Sequence, residues 1–199
     1  GGTGVAKGGV AEWVVALGSG TGWVRETAHR LLVERPVVEW LKPVVEALDR
    51  EVVSGDGLPD AGLGARRAQD PVVGPQVGTA RRMWLAAGAL GFARGEDASR
   101  VSRILMRALF DPSPTVRETA WRILQTKATE PKHALPDLAY EVIEAFAEDS
   151  SPAVRFHFAL QCGQQSDWPP VLPALVRVAL RDGGDRWTRA AVFSGLRGR

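Results

Sequence analysis

The sequence predicts an all-α protein: a right-handed α-solenoid of helix pairs, with about four repeats and a half-repeat at each end. Three observations predict it. A short phrase recurs along the chain, apolar residues follow each copy at helical spacing, and the copies are separated by distances typical of paired-helix repeats. The best-defined copy is DPSPTVRETAWRIL, residues 111–124.

This phrase has the pattern of a helix start. Asp111, Ser113 and Thr115 offer side-chain oxygens just before an apolar run, where unpaired helix N–H groups need acceptors. Pro114 is tolerated in a first turn but not in a helix interior. Glu118 follows Thr115 by three residues, the spacing of a capping box. One helical face then carries Val116, Ala120, Ile123 and Leu124.

Four looser copies of the phrase occur elsewhere in the chain. The copies share an arginine in the first turn of the following helix: Arg25, Arg82, Arg117, Arg155 and Arg189. Successive arginines are 57, 35, 38 and 34 residues apart, and three of these distances fall in the range of roughly 34 to 47 residues of helix-pair repeats. The longest distance contains the Gly- and Pro-rich stretch 54–78, predicted to be a long loop. That loop is either a tolerated surface insertion or a segment that shapes a binding site on one face.

A second apolar stripe lies between successive copies and predicts the partner helix of each pair. The three clearest stripes are Val101, Ile104, Leu105, Ala108 and Leu109; Leu138, Val142, Ala145 and Phe146; and Leu172, Leu175, Val176 and Ala179. Acidic residues then lead into the next copy: Asp111, Asp149 and Asp182. In chain order the predicted helices span 10–17, 22–34, 37–50, 79–92, 98–110, 117–127, 135–148, 154–163, 170–181 and 187–196. In the first helix Trp13, Val14 and Leu17 are predicted to face inward, and the 22–34 helix is predicted to pair with the 37–50 helix.

Composition bounds the class of protein. Residues 1–9 are predicted to be a flexible Gly-rich start, and residues 10–199 are predicted to form the repeat domain, with the loop insertion at 54–78. The net charge is +2, and no polybasic run indicates a nucleic-acid or anionic-membrane partner. A single cysteine excludes an intramolecular disulfide and a Cys-x-x-Cys motif.

No apolar run approaches the roughly 18 residues of a membrane span, and no signal-peptide pattern is visible. The start, Gly1 to Gly4, lacks Met, and the chain is interpreted as a piece of a longer protein.

The repeated arginines have two interpretations. In the first, each arginine contributes to a ladder of ion pairs and carbonyl contacts between adjacent repeats. In the second, they form a row on the concave face that captures phosphate or carboxylate groups. Tryptophans near the starts of repeats are predicted to pack between repeats, with stacking on bases or sugars as the alternative if they are exposed beside arginines. These are Trp23, Trp84, Trp121 and Trp187.

The sequence contains no recognisable set of catalytic residues. The histidines His29, His133 and His157 are scattered and form no metal-like cluster. Cys162 lies on an apolar helix face and is predicted to be a buried small hydrophobe rather than a reactive thiol. The Gly-rich stretches 62–64 and 182–185 are interpreted as turns, because the first follows no strand and the second lacks the oxygen spacing of an EF-hand. We therefore predict no catalytic, cofactor-binding or metal-binding residues.

The order helix, turn, helix, Asp, small residue or Pro, Val-Arg resembles the HEAT-repeat family over nearly the whole chain. The repeats also resemble, more specifically, the helical-repeat region of planctomycete-type putative membrane-bound dehydrogenase and cytochrome c proteins. GWVRETAHRLLVER, residues 22–35, resembles their GWWRDTAQRLLVER phrase. Similar matches, in the same order, cover residues 80–91, 151–164 and 182–196. The chain departs from that family in its long 54–78 insertion and in Trp23-Val24, which replaces a double Trp.

The resemblance implies a function outside this chain's own chemistry. In that family a sugar-dehydrogenase-like β-propeller precedes the repeats, and a cytochrome c domain with a Cys-x-x-Cys-His site follows them. We expect a non-catalytic scaffold or protein-interaction module, which binds a protein partner or neighbouring domains of the same polypeptide. One alternative is a connector in such a redox enzyme, whose c-type haem would be bound outside this chain in the periplasm or cell envelope. The other is a HEAT-like enzyme acting on nucleic acid, which the near-neutral charge disfavours.

Overall fold

The computed structural model of the chain describes residues 5–52, 73–93, 95–128, 140–162 and 171–196. These residues are helical and contain no β-strand, as the all-α prediction requires. They form ten α-helices: α1 Val10–Ala16, α2 Gly22–Val33, α3 Val37–Glu51, α4 Val73–Gly88, α5 Gly95–Ala108, α6 Pro114–Ala128, α7 Tyr140–Ala147, α8 Pro152–Gln161, α9 Val171–Asp182 and α10 Arg186–Gly195. Two short 3-10 segments accompany them, Val5–Lys7 and Ala89–Gly91.

The predicted end of the insertion is wrong. Residues 73–78 belong to α4, whereas we expected the loop to continue to Gly78. Pro75 lies in the first turn of α4, where proline costs no backbone hydrogen bond. Gly78 allows a close approach, because a Cβ atom there would lie 2.6 Å from Gly18 Cα. Gly78 is therefore a site of close helix packing rather than part of a loop. The remainder of the insertion, 54–72, lies outside the described residues.

The predicted capping box in the central phrase is also wrong. Helix α6 begins at Pro114, so Thr115 lies inside its first turn and cannot be the N-cap. The turn before the helix is held instead by Asp111, whose Oδ1 accepts a hydrogen bond from the Ser113 backbone N–H at 2.8 Å. Asp149 and Ser151 make the same 2.8 Å contact before α8. The equivalent aspartates thus stabilise the turns that lead into these two helices.

The described helices divide between two compact units. The first unit comprises the described residues up to Ala120, and the second comprises those from Trp121 onward. In the first unit α1 packs against α2, α3 and α4, and α3 packs against α4 and α5. The prediction that α3 is the packing partner of α2 is therefore wrong, because the main contacts of α3 are with α1, α4 and α5. Helix α2 buries only Ala28 and Leu32, so most of the apolar face of α3 is covered by other helices.

Helix α1 supplies a large part of the first unit's core. Trp13, Val14 and Leu17 are buried, as predicted. The indole N–H of Trp13 donates a hydrogen bond to the Val5 carbonyl at 2.8 Å, and this contact fixes the preceding 3-10 segment. In α5 the predicted apolar stripe is buried along its whole length, from Val101 to Leu109.

The second unit is built around three aromatic rings. Trp121 of α6 lies 4.9 Å from the ring of Phe146 in α7 and 5.3 Å from that of Phe158 in α8, centroid to centroid. Tilted aromatic pairs at this distance stabilise a core beyond simple burial. Helices α7 and α8 contact each other and α9, and α10 packs on α8 and α9. Successive helix pairs thus lie against one another within this unit, while the solenoid itself stays a prediction.

The predicted inward face of α9 is partly wrong. Leu175 is buried, but Leu172 and Val176 are exposed and Ala179 is half-buried. The buried face consists of Val171, Ala174, Leu175 and Val178. No helix in the described part of the chain is both long and apolar enough to cross a membrane.

Candidate interaction surface

Four of the five repeated arginines share one local contact. In each, Nη1 of the guanidinium donates to the backbone carbonyl six residues earlier, in the turn before the helix. The contacts are Arg25 to Ser19 at 2.6 Å, Arg117 to Asp111 at 2.8 Å, Arg155 to Asp149, and Arg189 to Gly183 at 2.7 Å. The predicted carbonyl contacts therefore exist, but each is made to the helix's own preceding turn and not to an adjacent repeat.

Arg155 also makes an ion pair with a later element. Its Nε and Nη2 donate to the two carboxylate oxygens of Asp182, at the end of α9, at 2.6 and 2.7 Å. The hydrogen bond from Arg155 holds the pKa of the Asp182 carboxyl below its ordinary value. The Arg155 side chain is only 3% exposed, so this arginine joins helices and is not available to an external anion.

Arg82 makes a different set of contacts. Its Nε and Nη2 donate to the Val14 carbonyl at 3.0 and 2.7 Å, and its Nη1 donates to both carboxylate oxygens of Glu51 at 2.8 Å. The arginine of α4 thus binds a carbonyl in the last turn of α1 and the end of α3. For Arg82 and Arg155 the structure supports the structural interpretation, because both guanidinium groups are buried and paired.

The tryptophans do not share one environment. Trp121 is buried, as predicted for packing. Trp23, Trp84 and Trp187 are exposed, and the prediction that they pack between repeats is wrong. Trp23 and Trp187 occupy the same position, two residues before the repeated arginine. That position lies on the outer side of the first helical turn, where Thr115 and Ala153 are exposed in other copies.

Trp187 borders an open depression of the second unit. Its side chain is 60% exposed, and the guanidinium of Arg186 lies 4.5 Å from the centroid of its ring. The depression holds about 560 Å³ and opens widely to solvent between the first turns of α8 and α10 and the end of α9. It is lined by Pro152, Ala153, Phe156, Arg181, Asp182, Gly184, Asp185, Trp187 and Thr188.

A row of exposed apolar side chains on α9 ends near this depression. Leu172, Val176 and Leu180 follow one another at four-residue intervals and therefore lie on one face of the helix. Leu180 is 82% exposed. It borders a second, smaller depression together with Arg181, which also lines the first. We call these residues, Leu172, Val176, Leu180, Arg181 and Trp187, the α9 surface.

Paired charges flank the α9 surface. Arg177 Nη2 donates to Glu144 Oε1 at 2.8 Å, and Arg177 Nε lies 3.5 Å from Glu148 Oε1. Asp185 caps α10 by accepting from the Thr188 backbone N–H at 2.7 Å, and this hydrogen bond lowers the pKa of the Asp185 carboxyl. The carboxylates Asp182 and Asp185 are thus both hydrogen-bonded in their charged forms.

The other candidate residues occupy structural positions. Cys162 is buried at the end of α8, as predicted. The ring centroids of His157 and Phe156 lie 5.1 Å apart in an edge-to-face arrangement, and His29 is half-buried in α2. Residues 182–185 form a turn, in which the Asp185 N–H donates to the Asp182 carbonyl at 2.9 Å. His133 and residues 62–64 lie outside the described residues. Within the described ranges no group of three or more acidic, histidine or cysteine side chains is placed to hold a metal ion.

The α9 surface was not predicted from the sequence. Helix α9 is apolar on most of its circumference, so its pattern does not identify the side that faces solvent. One feature of the sequence could have indicated this surface. Leu180 is apolar but lies outside the predicted inward stripe, which ends at Ala179, so no buried position was predicted for it.

Comparison of the chain with protein-family models, with curated proteins and with solved structures gives no match. The HEAT-like and dehydrogenase-associated resemblances therefore stay predictions from the sequence.

Proposed function

We propose that the chain is a non-catalytic helical-repeat scaffold that binds another protein through the α9 surface. The observation that carries the proposal is the exposed row of Leu172, Val176 and Leu180, which ends beside the Trp187 depression. Isolated exposed hydrophobic residues are common and need no explanation. Here, however, three exposed apolar residues lie on one helix face, beside Trp187 and Arg181, which are of the residue types enriched in binding hot spots.

The arrangement of charges supports the same function. Arg177, Glu144 and Glu148 form ion pairs at the side of the apolar row, as in the polar rim that surrounds the apolar centre of many interfaces. Asp182 and Asp185 have lowered pKa values and are ionised at neutral pH, so neither carboxyl is poised to donate a proton. Asp182 accepts hydrogen bonds from Arg155, and Asp185 accepts one from the Thr188 N–H, so both carboxylates serve structural contacts at the edge of the surface.

Affinity capture with surface variants tests the proposal. We would capture partners on the tagged full chain and quantify them by mass spectrometry. The Leu180→Glu and Trp187→Ala variants should lose a partner that the unaltered chain retains, with at least a roughly tenfold loss for the glutamate because it places a charge in the apolar contact.

Val38→Glu is the matched control. Val38 is an equally exposed apolar residue on a helix of the first unit, so its replacement adds the same charge outside the α9 surface. This variant should retain the partner. Circular dichroism would show that all variants are folded. Equal capture by every variant, or the capture of no specific partner, would refute the proposed function.

A further inference from the structure

The sequence contains two Asp-Gly pairs, Asp56-Gly57 and Asp182-Gly183. An aspartate followed by glycine is prone to spontaneous isomerisation, because glycine has no side chain to hinder the attack of its nitrogen on the aspartate carboxyl. We infer that Asp182-Gly183 is a latent site of isoaspartate formation, which the ion pair with Arg155 holds back in the folded chain. The inference goes beyond the binding proposed for the α9 surface and does not depend on it.

The packing of the second unit requires both residues of this pair. The two carboxylate oxygens of Asp182 accept hydrogen bonds from Arg155, Oδ2 at 2.6 Å and Oδ1 at 2.7 Å. Gly183 has no room for a side chain, because a Cβ atom there would overlap the Ala179 carbonyl oxygen. A chemically labile dipeptide therefore lies at the end of α9, where a more inert pair would lose one of these contacts.

Isomerisation of such a pair proceeds through a cyclic imide. The backbone nitrogen of Gly183 forms a bond to Cγ of the neutral Asp182 carboxyl, and the amide proton and the carboxyl OH leave together as one water. One water then opens the ring at either of its carbonyl carbons. Opening at Cγ restores aspartate, whereas opening at the main-chain carbonyl carbon leaves the chain running through Cβ and Cγ, as isoaspartate. Water is the sole co-reactant.

Three features of the folded chain oppose ring closure. The two bonds from Arg155 hold the Asp182 side chain against rotation toward the next nitrogen. The Gly183 N–H donates to the Ala179 carbonyl at 2.9 Å, which holds the backbone at the end of α9. The hydrogen bond from Arg155 also lowers the pKa of the Asp182 carboxyl, so less of the neutral form is present. Ring closure therefore requires the turn to open first.

The product would not restore the contacts of the original turn. Isoaspartate adds one methylene to the main chain and moves the carboxylate from Cβ to Cα, so the parallel bonds to Arg155 and the 182–185 turn cannot both form again. In that turn the Asp185 N–H donates to the Asp182 carbonyl at 2.9 Å, and Asp185 itself caps α10. Isomerisation should therefore loosen the start of α10, where Trp187 lies.

Timed incubation followed by peptide mapping tests the inference. We would keep the full chain at about pH 5, where a small fraction of an ordinary aspartate is protonated. Isoaspartate at each Asp-Gly pair is then quantified by enzymatic methylation and fragmentation mass spectrometry. In the folded chain Asp182 should isomerise about tenfold or more slowly than in guanidinium chloride. The Arg155→Gln variant should remove most of this protection while circular dichroism shows that it is folded.

Gly195→Ala is the matched control, because it disturbs the packing of α10 on α8 in the same unit and leaves the Arg155 pair in place. It should change the rate at Asp182 by less than about threefold. Arg155→Lys keeps the charge without the two parallel donors, so it should also accelerate the reaction, and it replaces Arg155→Gln if that variant does not fold.

The second Asp-Gly pair, Asp56-Gly57, shows in the same digest that isoaspartate forms and is detected. Equal rates at Asp182 in the folded and the denatured chain would overturn the inference. So would isoaspartate at position 56 but not at 182 in the denatured chain. Equal acceleration by Arg155→Gln and Gly195→Ala would likewise overturn it, because general loosening of the unit would then control the reaction instead of the ion pair.

Discussion

Arg155 and Asp182 join α8 to the end of α9 by two parallel hydrogen bonds, with Nε to Oδ2 at 2.6 Å and Nη2 to Oδ1 at 2.7 Å. The third nitrogen of the same guanidinium, Nη1, donates to the Asp149 carbonyl in the turn before α8. One buried arginine therefore fixes a helix, the turn before it and the end of its neighbour.

Replacing Arg155 with glutamine should lower the free energy of unfolding of the second unit by about 2–3 kcal/mol. The change leaves the Asp182 carboxylate mostly buried without its partner, which costs more than the pair itself contributes. Urea titration followed by circular dichroism measures the effect. Arg189→Gln is the matched control, because Arg189 holds the same repeat position but is exposed, and it should cost less than about 1 kcal/mol. Equal losses for the two variants would show that the buried carboxylate pair has no special role.

Lowering the pH should reduce the stabilisation that the Arg155–Asp182 pair contributes to the folded chain. The pKa of Asp182 is lowered below its ordinary value of 3.8 in the folded chain, chiefly by the hydrogen bond from Arg155. The unfolded chain therefore binds more protons as the pH falls through 3.8, and the stabilisation by this carboxylate is lost progressively down to the folded pKa. Above the ordinary value the contribution is fully present.

The Asp182→Asn variant measures this contribution. Thermal melts from about pH 7 to about pH 3 should show the variant less stable at neutral pH, with a difference from the unaltered chain that narrows below about pH 4. The Arg155→Gln variant should show a smaller acid-dependent loss than the unaltered chain, since it lacks the partner that lowers the pKa. A difference that stays constant across this range would contradict the assignment.

Two glycine-to-alanine changes should have opposite signs. A Cβ atom at Gly195 would lie 2.8 Å from the Ala159 carbonyl oxygen and 3.1 Å from the Leu175 side chain, so Gly195→Ala must push α10 away from α8 and should cost about 1–3 kcal/mol. Gly88 has helical backbone angles, and a Cβ atom there would meet no atom within 4 Å, so Gly88→Ala should add about 0.4–1 kcal/mol. Denaturant midpoints give both values. A stabilising Gly195→Ala would show that the two helices are not in close contact.

Loss of Arg82 should loosen α1. Its guanidinium binds the Val14 carbonyl and the Glu51 carboxylate, so Arg82→Gln frees the last turn of α1 and leaves the partly buried Glu51 carboxylate without its ion-pair partner. Amide hydrogen exchange in α1 should accelerate by about tenfold or more, since local opening then costs less free energy. Arg81→Gln is the control, because Arg81 pairs with Glu26 at the surface, and its loss should leave exchange in α1 nearly unchanged. Equal acceleration in both variants would refute the special role of Arg82.

The spacing of apolar residues correctly predicted the buried face of a helix where only one of its faces is apolar. In α5 charged and small polar residues occupy the outer side, so the stripe from Val101 to Leu109 had only one possible inward orientation, and it is buried. The repeated arginine was also visible in the sequence, because its hydrogen bond to the carbonyl six residues earlier depends only on local chain geometry.

Contacts between distant segments were not predictable in the same way. Helix α9 is apolar nearly all round, so the sequence could not show that Leu172 and Val176 face solvent. Gly78 belongs to a Gly- and Pro-rich stretch that predicted a loop, and only the approach of Gly18 shows why a helical position there has no side chain. The exposure of Trp187 depends on the position of α8 and α9 around it, which no local pattern specifies.

The sequence by itself determined the helical class, the approximate helix positions and the repeated arginine turn, because these depend on hydrogen bonds and side-chain spacing within a few residues. Only the tertiary structure decided which arginines are buried, which side of α9 is open and how α1 and α3 come together. These features depend on long-range packing, in which the side of each helix that is buried is set by the neighbours that cover it. The α9 surface could consequently be identified only from the packing of the helices.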